Sequence, residues 1–147
     1  SGLRDMTEWS IPEAELMAAF VSKLNQCEYW TGDHTAVAVL GLEEDVVAAV
    51  LEDWRTAPID ERLRAVLGYL EKLTLAPKEL NVADIKILHL AGLSDRAITE
   101  AAYVCYLFSV MDRLADTFDF DIPTGEQVSN TGQFLFKNGY KLVKLIR

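Results

Sequence analysis

The sequence predicts an all-α fold, a single domain of about seven helices over residues 1–147. Three observations carry this. Apolar residues recur at intervals of three and four, the helical period. Proline, glycine and Ser/Asn/Asp caps divide the chain into segments of helical length. No segment alternates as a half-buried strand would. At 147 residues, half hydrophobic and a quarter charged, the chain suits one globular core.

Ser1 and Gly2 look like a cleavage scar and stand outside the fold reading. Ser10-Ile11-Pro12-Glu13 is a capping box with proline in the first turn, opening a helix from Glu13 to about Leu24. Asn25 is expected to cap a second helix that runs from near Gln26 to Gly41. Residues 43–53 give a short helix with Val46, Val47, Val50 and Leu51 on one face. Pro58 breaks the chain. Leu63, Val66, Leu67, Leu70 and Leu73 then mark a helix from Asp60 to Leu75, which Pro77 ends. Asn81-Val82-Ala83-Asp84 caps the next, which stops at Gly92. Ser94 caps a long helix to about Phe118. Its middle, Ala101 to Phe108, is apolar on every side and is expected at the centre of the fold. Thr124-Gly125-Glu126-Gln127 opens a last helix toward Arg147.

The net charge of −9 argues against nucleic acid as a partner, because phosphate binding needs a basic surface. The charge is uneven. Residues 134–147 hold Lys137, Lys141, Lys144 and Arg147 and no acid, so the remainder carries 10 basic against 23 acidic residues, or −13. Cations near a helix end suit its dipole and face solvent or an acidic neighbouring subunit. The longest apolar run, from Ala101 to Met111 with Ser109 interrupting, is too short to span a bilayer, so no membrane partner is expected. Two cysteines far apart, Cys27 and Cys105, make no disulfide framework and fit a reducing cytoplasm. His34 and His89 are in no two-ligand spacing and the eight glycines match no nucleotide fingerprint, so neither metal nor cofactor is expected.

One group of residues carries chemistry. If Asn25 caps the second helix, Cys27 falls in its first turn, where unpaired N–H groups and the dipole favour a thiolate. Cys27, Trp30 and His34 are spaced by three and four and share one helical face. Glu15 lies on the preceding helix. Antiparallel pairing of the two helices would let it reach His34, and a carboxylate orienting an imidazole beside a thiol is the logic of nucleophile activation.

Glu15-x(11)-Cys27-x-x-Trp30-x-x-x-His34 resembles the redox signature of the alkyl hydroperoxidase D family, part of the carboxymuconolactone decarboxylase superfamily. Trp30 stands where that family carries a second cysteine. The resemblance extends from about residue 8 to 122. Thr7 to Leu16 is similar to the start of the family's first motif helix. Leu73-Thr74-Leu75-Ala76-Pro77 with Val82-Ala83-Asp84-Ile85 resembles the linker of its peroxidase-related subgroup. Leu90-Ala91-Gly92-Leu93-Ser94-Asp95 with Ile98 resembles a further subgroup signature. Leu107-Phe108 and Asp112-Arg113-Leu114-Ala115 resemble its ending, with Asp112 where asparagine is usual. Family members often carry more sequence before this start, which implies a truncated N-terminus.

The resemblance implies a helical bundle that assembles as a homo-oligomer: dimer, trimer or hexamer. It implies reduction of hydroperoxides. In that chemistry the second cysteine attacks the peroxide, the first resolves the sulfenic acid as a disulfide, and histidine and glutamate relay protons. Cys27 matches the first cysteine, His34 the histidine and Glu15 the glutamate, with Trp30 and Tyr29 lining the pocket. The expected activity is therefore one-cysteine peroxide reduction, with an external thiol as reductant. Cys105, in the most apolar helix, is expected to be a packing residue rather than a partner for Cys27. Two alternatives stand beside this. One is a non-redox acid–base enzyme of the decarboxylase type, with His34 as base, Glu15 orienting it and Arg113 pairing a substrate carboxylate. The other is a non-catalytic oligomeric scaffold.

Overall fold

The computed structural model describes residues 3–119; the helix expected from Thr124 lies outside them. Six α-helices follow in order: α1 (Ile11–Leu24), α2 (Glu28–Ala38), α3 (Glu44–Asp53), α4 (Glu61–Leu75), α5 (Val82–Leu90) and α6 (Asp95–Thr117). One 3-10 turn, Pro77–Glu79, sits between α4 and α5. No strand occurs among the described residues, and none of their helices is long and apolar enough to cross a membrane.

Most starts fall where local chemistry dictates. Ser10 and Glu13 form the capping box of α1, and Asn81 and Asp84 that of α5. Asp60 and Ser94 accept backbone hydrogen bonds at the starts of α4 and α6. Two starts lack a side-chain cap: α3, after Glu43, and α2. Asn25 does not cap it: Asn25 closes α1 in a right-handed conformation, and Gln26 follows in the left-handed region at φ 61°. The Gln26 and Cys27 N–H groups donate back to the Lys23 and Ser22 carbonyls, at 2.9 Å each. This is a Schellman closure of α1, and it uses the residues expected to begin the next helix. Cys27 thereby becomes the N-cap residue of α2, not part of its first turn. The helix also ends at Ala38, short of Gly41.

A second expectation is corrected by packing. The central helix is α1, not α6. Every residue of α1 from Ala14 to Ser22 is buried, because α2, α3, α4 and α6 all pack around it. On α6, Ala97, Ala101, Val104, Phe108 and Ala115 face inward, whereas Tyr103, Tyr106, Val110 and Leu114 are exposed. An apolar stretch without a polar face is thus half core and half surface here.

Outside the helices, the segment before α1 is pinned to α6. The Glu100 carboxylate accepts the Thr7 and Glu8 N–H groups, and Trp9 donates its indole N–H to the Ala97 carbonyl at 2.9 Å. This holds α1 in register against α6, which fixes the site between them.

Candidate functional site

The paired helices α1 and α2 bring Glu15 and His34 together in the core. His34 Nδ1 lies 2.5 Å from Glu15 Oε2, and neither side chain reaches solvent. With Nδ1–H donating to the carboxylate, Nε2 carries the lone pair of the neutral ring. Trp30, one turn before His34 on α2, stacks on the imidazole with centroids 5.5 Å apart and an interplanar angle of 24°. Phe108 of α6 meets the same imidazole edge-on at 4.3 Å. The Trp30 indole N–H donates to the Met111 carbonyl at 3.2 Å, which pins the ring against α6. Tyr29 packs edge-on against Trp30 at 5.0 Å. Aromatic pairs of this kind each add about 0.5–1.5 kcal/mol beyond simple burial. The dyad is therefore walled in by aromatic rings.

Cys27 is placed elsewhere. Seven residues of sequence separate it from His34, about 10 Å along a helix at 1.5 Å per residue, and the Trp30 ring occupies the intervening turn. Spacing alone thus does not set the thiol on the turn next to the imidazole. Nor is the thiol activated by the helix terminus. Burial pushes Cys27 up to about 11; the Trp30 backbone N–H pulls it down partway, without a cap hydrogen bond of normal geometry, and the Asp116 carboxylate accepting from the thiol and the charge of Asp112 push it up again. Desolvation of the thiolate wins because two nearby acids add to it rather than oppose it. Cys27 nonetheless forms part of a surface groove of about 460 Å³, with Lys23, Gln26, Glu28, Thr31, Gly32 and Leu51.

Asp112 is the residue that ties these parts together. It is buried on α6 and accepts from Ser22 Oγ at 2.8 Å and Asn25 Nδ2 at 2.7 Å. It thus fastens the α1–α2 turn that carries Cys27. Burial pushes the Asp112 carboxyl up, and the hydrogen bonds from Asn25 and Ser22 hold it down in part. Sequence reasoning noted Asp112 only as a departure from asparagine. The stronger signal was its place in the inward register of α6, with Ala101, Val104, Phe108 and Ala115, where an acid needs a reason. Asp33 carries the same signal on α2, between Trp30 and Val37.

Arg113, expected at the site, is not part of this group, and Cys105 packs apart from it as expected. Arg113 is exposed and its guanidinium donates to the Ser109 carbonyl of its own helix. Its neighbours Asp112 and Phe108 face inward while it faces out, so it does not converge with Glu15 and His34. Cys105 is buried against α4, with Thr74 Oγ1 3.3 Å from its sulfur. Asp112 and Asp116, which neighbour Cys27, lie seven and eleven residues further along α6, about 10–16 Å away. Both thiols are free. Among the described residues no group of acids, histidines and cysteines is arranged to hold a metal ion.

No protein-family model matches the chain, and no curated protein matches it by sequence. Solved structures do. A peroxidase-related protein from Silicibacter sp. TM1040 superposes with a TM-score of 0.80 at 26% identity, over 89% of this chain and 68% of its own. The alkylhydroperoxidase AhpD core of a peroxidase-related protein from Ralstonia eutropha JMP134 gives 0.78 at 24%, with the same coverage. The debrominase Bmp8, in complex with 2,3,4-tribromopyrrole, gives 0.75 at 16%, over 91% of this chain and 70% of its own. The chain spans about two thirds of each neighbour, and six described helices, with α2, α3, α4 and α6 packed around a buried α1, give it the AhpD-like fold of the peroxidase-related structures.

Proposed function

We propose that this protein is a peroxidase-related oxidoreductase that reduces hydroperoxides with one thiol, Cys27, in a slow cycle completed by an external thiol. The observation that carries this is Cys27 among the residues that form a surface groove, buried beneath it, with Asp116 acting on the thiol. Because Cys27 is buried, a small substrate reaches the sulfur when the groove wall opens, without passing the aromatic wall around His34.

The cycle balances with that one residue. The Cys27 proton passes to Asp116, and the thiolate attacks the distal peroxide oxygen. The O–O bond breaks, an S–O bond forms, and the alkoxide leaves as alcohol after taking up a proton. Cys27 is oxidised to the sulfenic acid. One external thiol displaces water to form a mixed disulfide, and a second regenerates Cys27. The Glu15–His34 pair lies about two helical turns along α2 from this thiol. In this reading it orders the buried face of α2 rather than abstracting the Cys27 proton.

The test is peroxide consumption with a dithiol reductant, alongside trapping of the sulfenic acid by a dione reagent and detection by mass. The expected result is slow turnover and a trapped adduct in the native protein, both absent from Cys27→Ser. Equal turnover in Cys27→Ser would sink the proposal. A brominated pyrrole belongs in the same assay, because the debrominase shares the fold. Turnover of that compound with none of peroxide would move the substrate class and keep the thiol.

One observation favours a second reading, a scaffold without catalysis. Trp30 fills the position of a second thiol, stacked on His34 and anchored to Met111. If Cys27→Ser leaves folding and every substrate assay unchanged, this reading replaces the first.

A further inference from the structure

Asp33 is the acid of this core that the chemistry above leaves unused. It sits on α2 beside His34 and is 4% exposed. Its Oδ1 is fully enclosed and has no hydrogen-bond partner among the described residues. Most buried carboxylates are surrounded by donors, as Asp112 is by Ser22 and Asn25. Asp33 instead has acids and rings around it. Glu15 reaches it from α1, and His34 and Tyr29 share its own helix. From α6, Asp112 acts on His34.

We propose that Asp33 is a third member of the Glu15–His34 site, a positioning residue whose proton sets how the buried imidazole–carboxylate pair is charged. The argument is one of charge and desolvation. Glu15, Asp33 and Asp112 are three acids enclosed with one imidazole. They cannot all be ionised in a medium that solvates charge poorly. The acid with an oxygen lacking a donor gives up its charge at least cost, so Asp33 is the one of the three that keeps its proton furthest up the pH scale. Burial pushes its carboxyl up, His34 pulls it down, and Glu15 pushes it up again, in that order of size. An asparagine would fill the same space. What the acid adds is an exchangeable proton next to the dyad.

The sign of the pH effect follows. A carboxyl raised in the native state binds its proton more tightly there than in the unfolded chain. Its contribution to stability is fully present below the unfolded value and is lost as pH rises toward the native one. Asp33→Asn, which cannot titrate, should therefore gain melting temperature relative to the native protein as pH rises above about 4.

The inference rests on the same site as the proposed function but needs neither Cys27 nor peroxide. The experiment is nuclear magnetic resonance of the labelled protein across pH, following the Asp33 carboxyl carbon and the His34 ring. The expected Asp33 midpoint lies well above the ordinary carboxylate range near about 4. A step in the His34 signal should occur at that same pH and vanish in Asp33→Asn. An Asp33 midpoint at the ordinary value overturns the proposal, and so does a His34 curve identical in both proteins. If Asp33→Asn does not fold, the carboxyl titration of the native protein decides alone. Failure of the peroxide assay leaves these signals unchanged, so the two readings fail separately.

Discussion

Raising the pH from 7 to 10 should speed alkylation of Cys27 about a thousandfold, because only the thiolate reacts. The magnitude follows from the surroundings of the sulfur. With Cys27 pushed up to about 11, about one thiol in ten thousand is ionised at pH 7, and the fraction rises tenfold per pH unit. An ordinary thiol near about 8.5 is about 3% ionised at pH 7 and levels off above pH 9. Cys27 should thus react about 300-fold more slowly at pH 7 than a peptide thiol, before any loss from restricted access. Access lowers the whole curve without changing its slope, so the slope isolates ionisation. The assay is timed iodoacetamide labelling read by intact mass, in a Cys105→Ser background. Asp116→Asn removes a negative charge and leaves only a neutral amide oxygen as acceptor, so its curve should shift to lower pH. Asp112 is itself pushed up by burial, so Asp112→Asn should act mainly where that carboxyl is ionised. A rate that levels off by about pH 9 in the native protein would refute the desolvation argument. It would mean that the helix terminus offsets burial and leaves an ordinary thiol.

Trp30→Cys should gain peroxide turnover, since it places a second thiol one turn before His34 and one turn after Cys27; the lost ring should cost about 3–5 kcal/mol of stability in urea unfolding. Glu15→Ala strips the buried His34 of its carboxylate and should cost about 3–5 kcal/mol, with Glu15→Gln milder because the amide oxygen can still accept. Gly41→Ala would put a Cβ 2.2 Å from Pro12 Cγ, so the start of α1 must shift. A loss of about 1–3 kcal/mol is expected, and thermal unfolding reads it.

The sequence by itself determined the helices whose ends are written locally. Ser10, Asp60, Asn81 and Ser94 mark four starts because each cap satisfies N–H groups that its own helix leaves unpaired. It also brought Glu15 and His34 into one argument, since a short link between two helices forces them to pair. Cap chemistry failed at Asn25, where closing α1 and starting α2 compete for the same residues, and the polar partner on α6 took the Asn25 side chain. Tertiary structure alone decided the state of the thiol. A helix start favours a thiolate, but α6 delivers Asp112 and Asp116 beside it and removes water, and desolvation with two like charges outweighs a terminal dipole. Tertiary structure likewise decided which apolar helix is central. Hydrophobicity says only that a face seeks cover, and α1 received it from four neighbours while one face of α6 did not. Around Cys27 and His34 the two levels divide in the same way: the helical period puts them on one face, and only the fold sets the Trp30 ring between them against Phe108 and Met111 of α6.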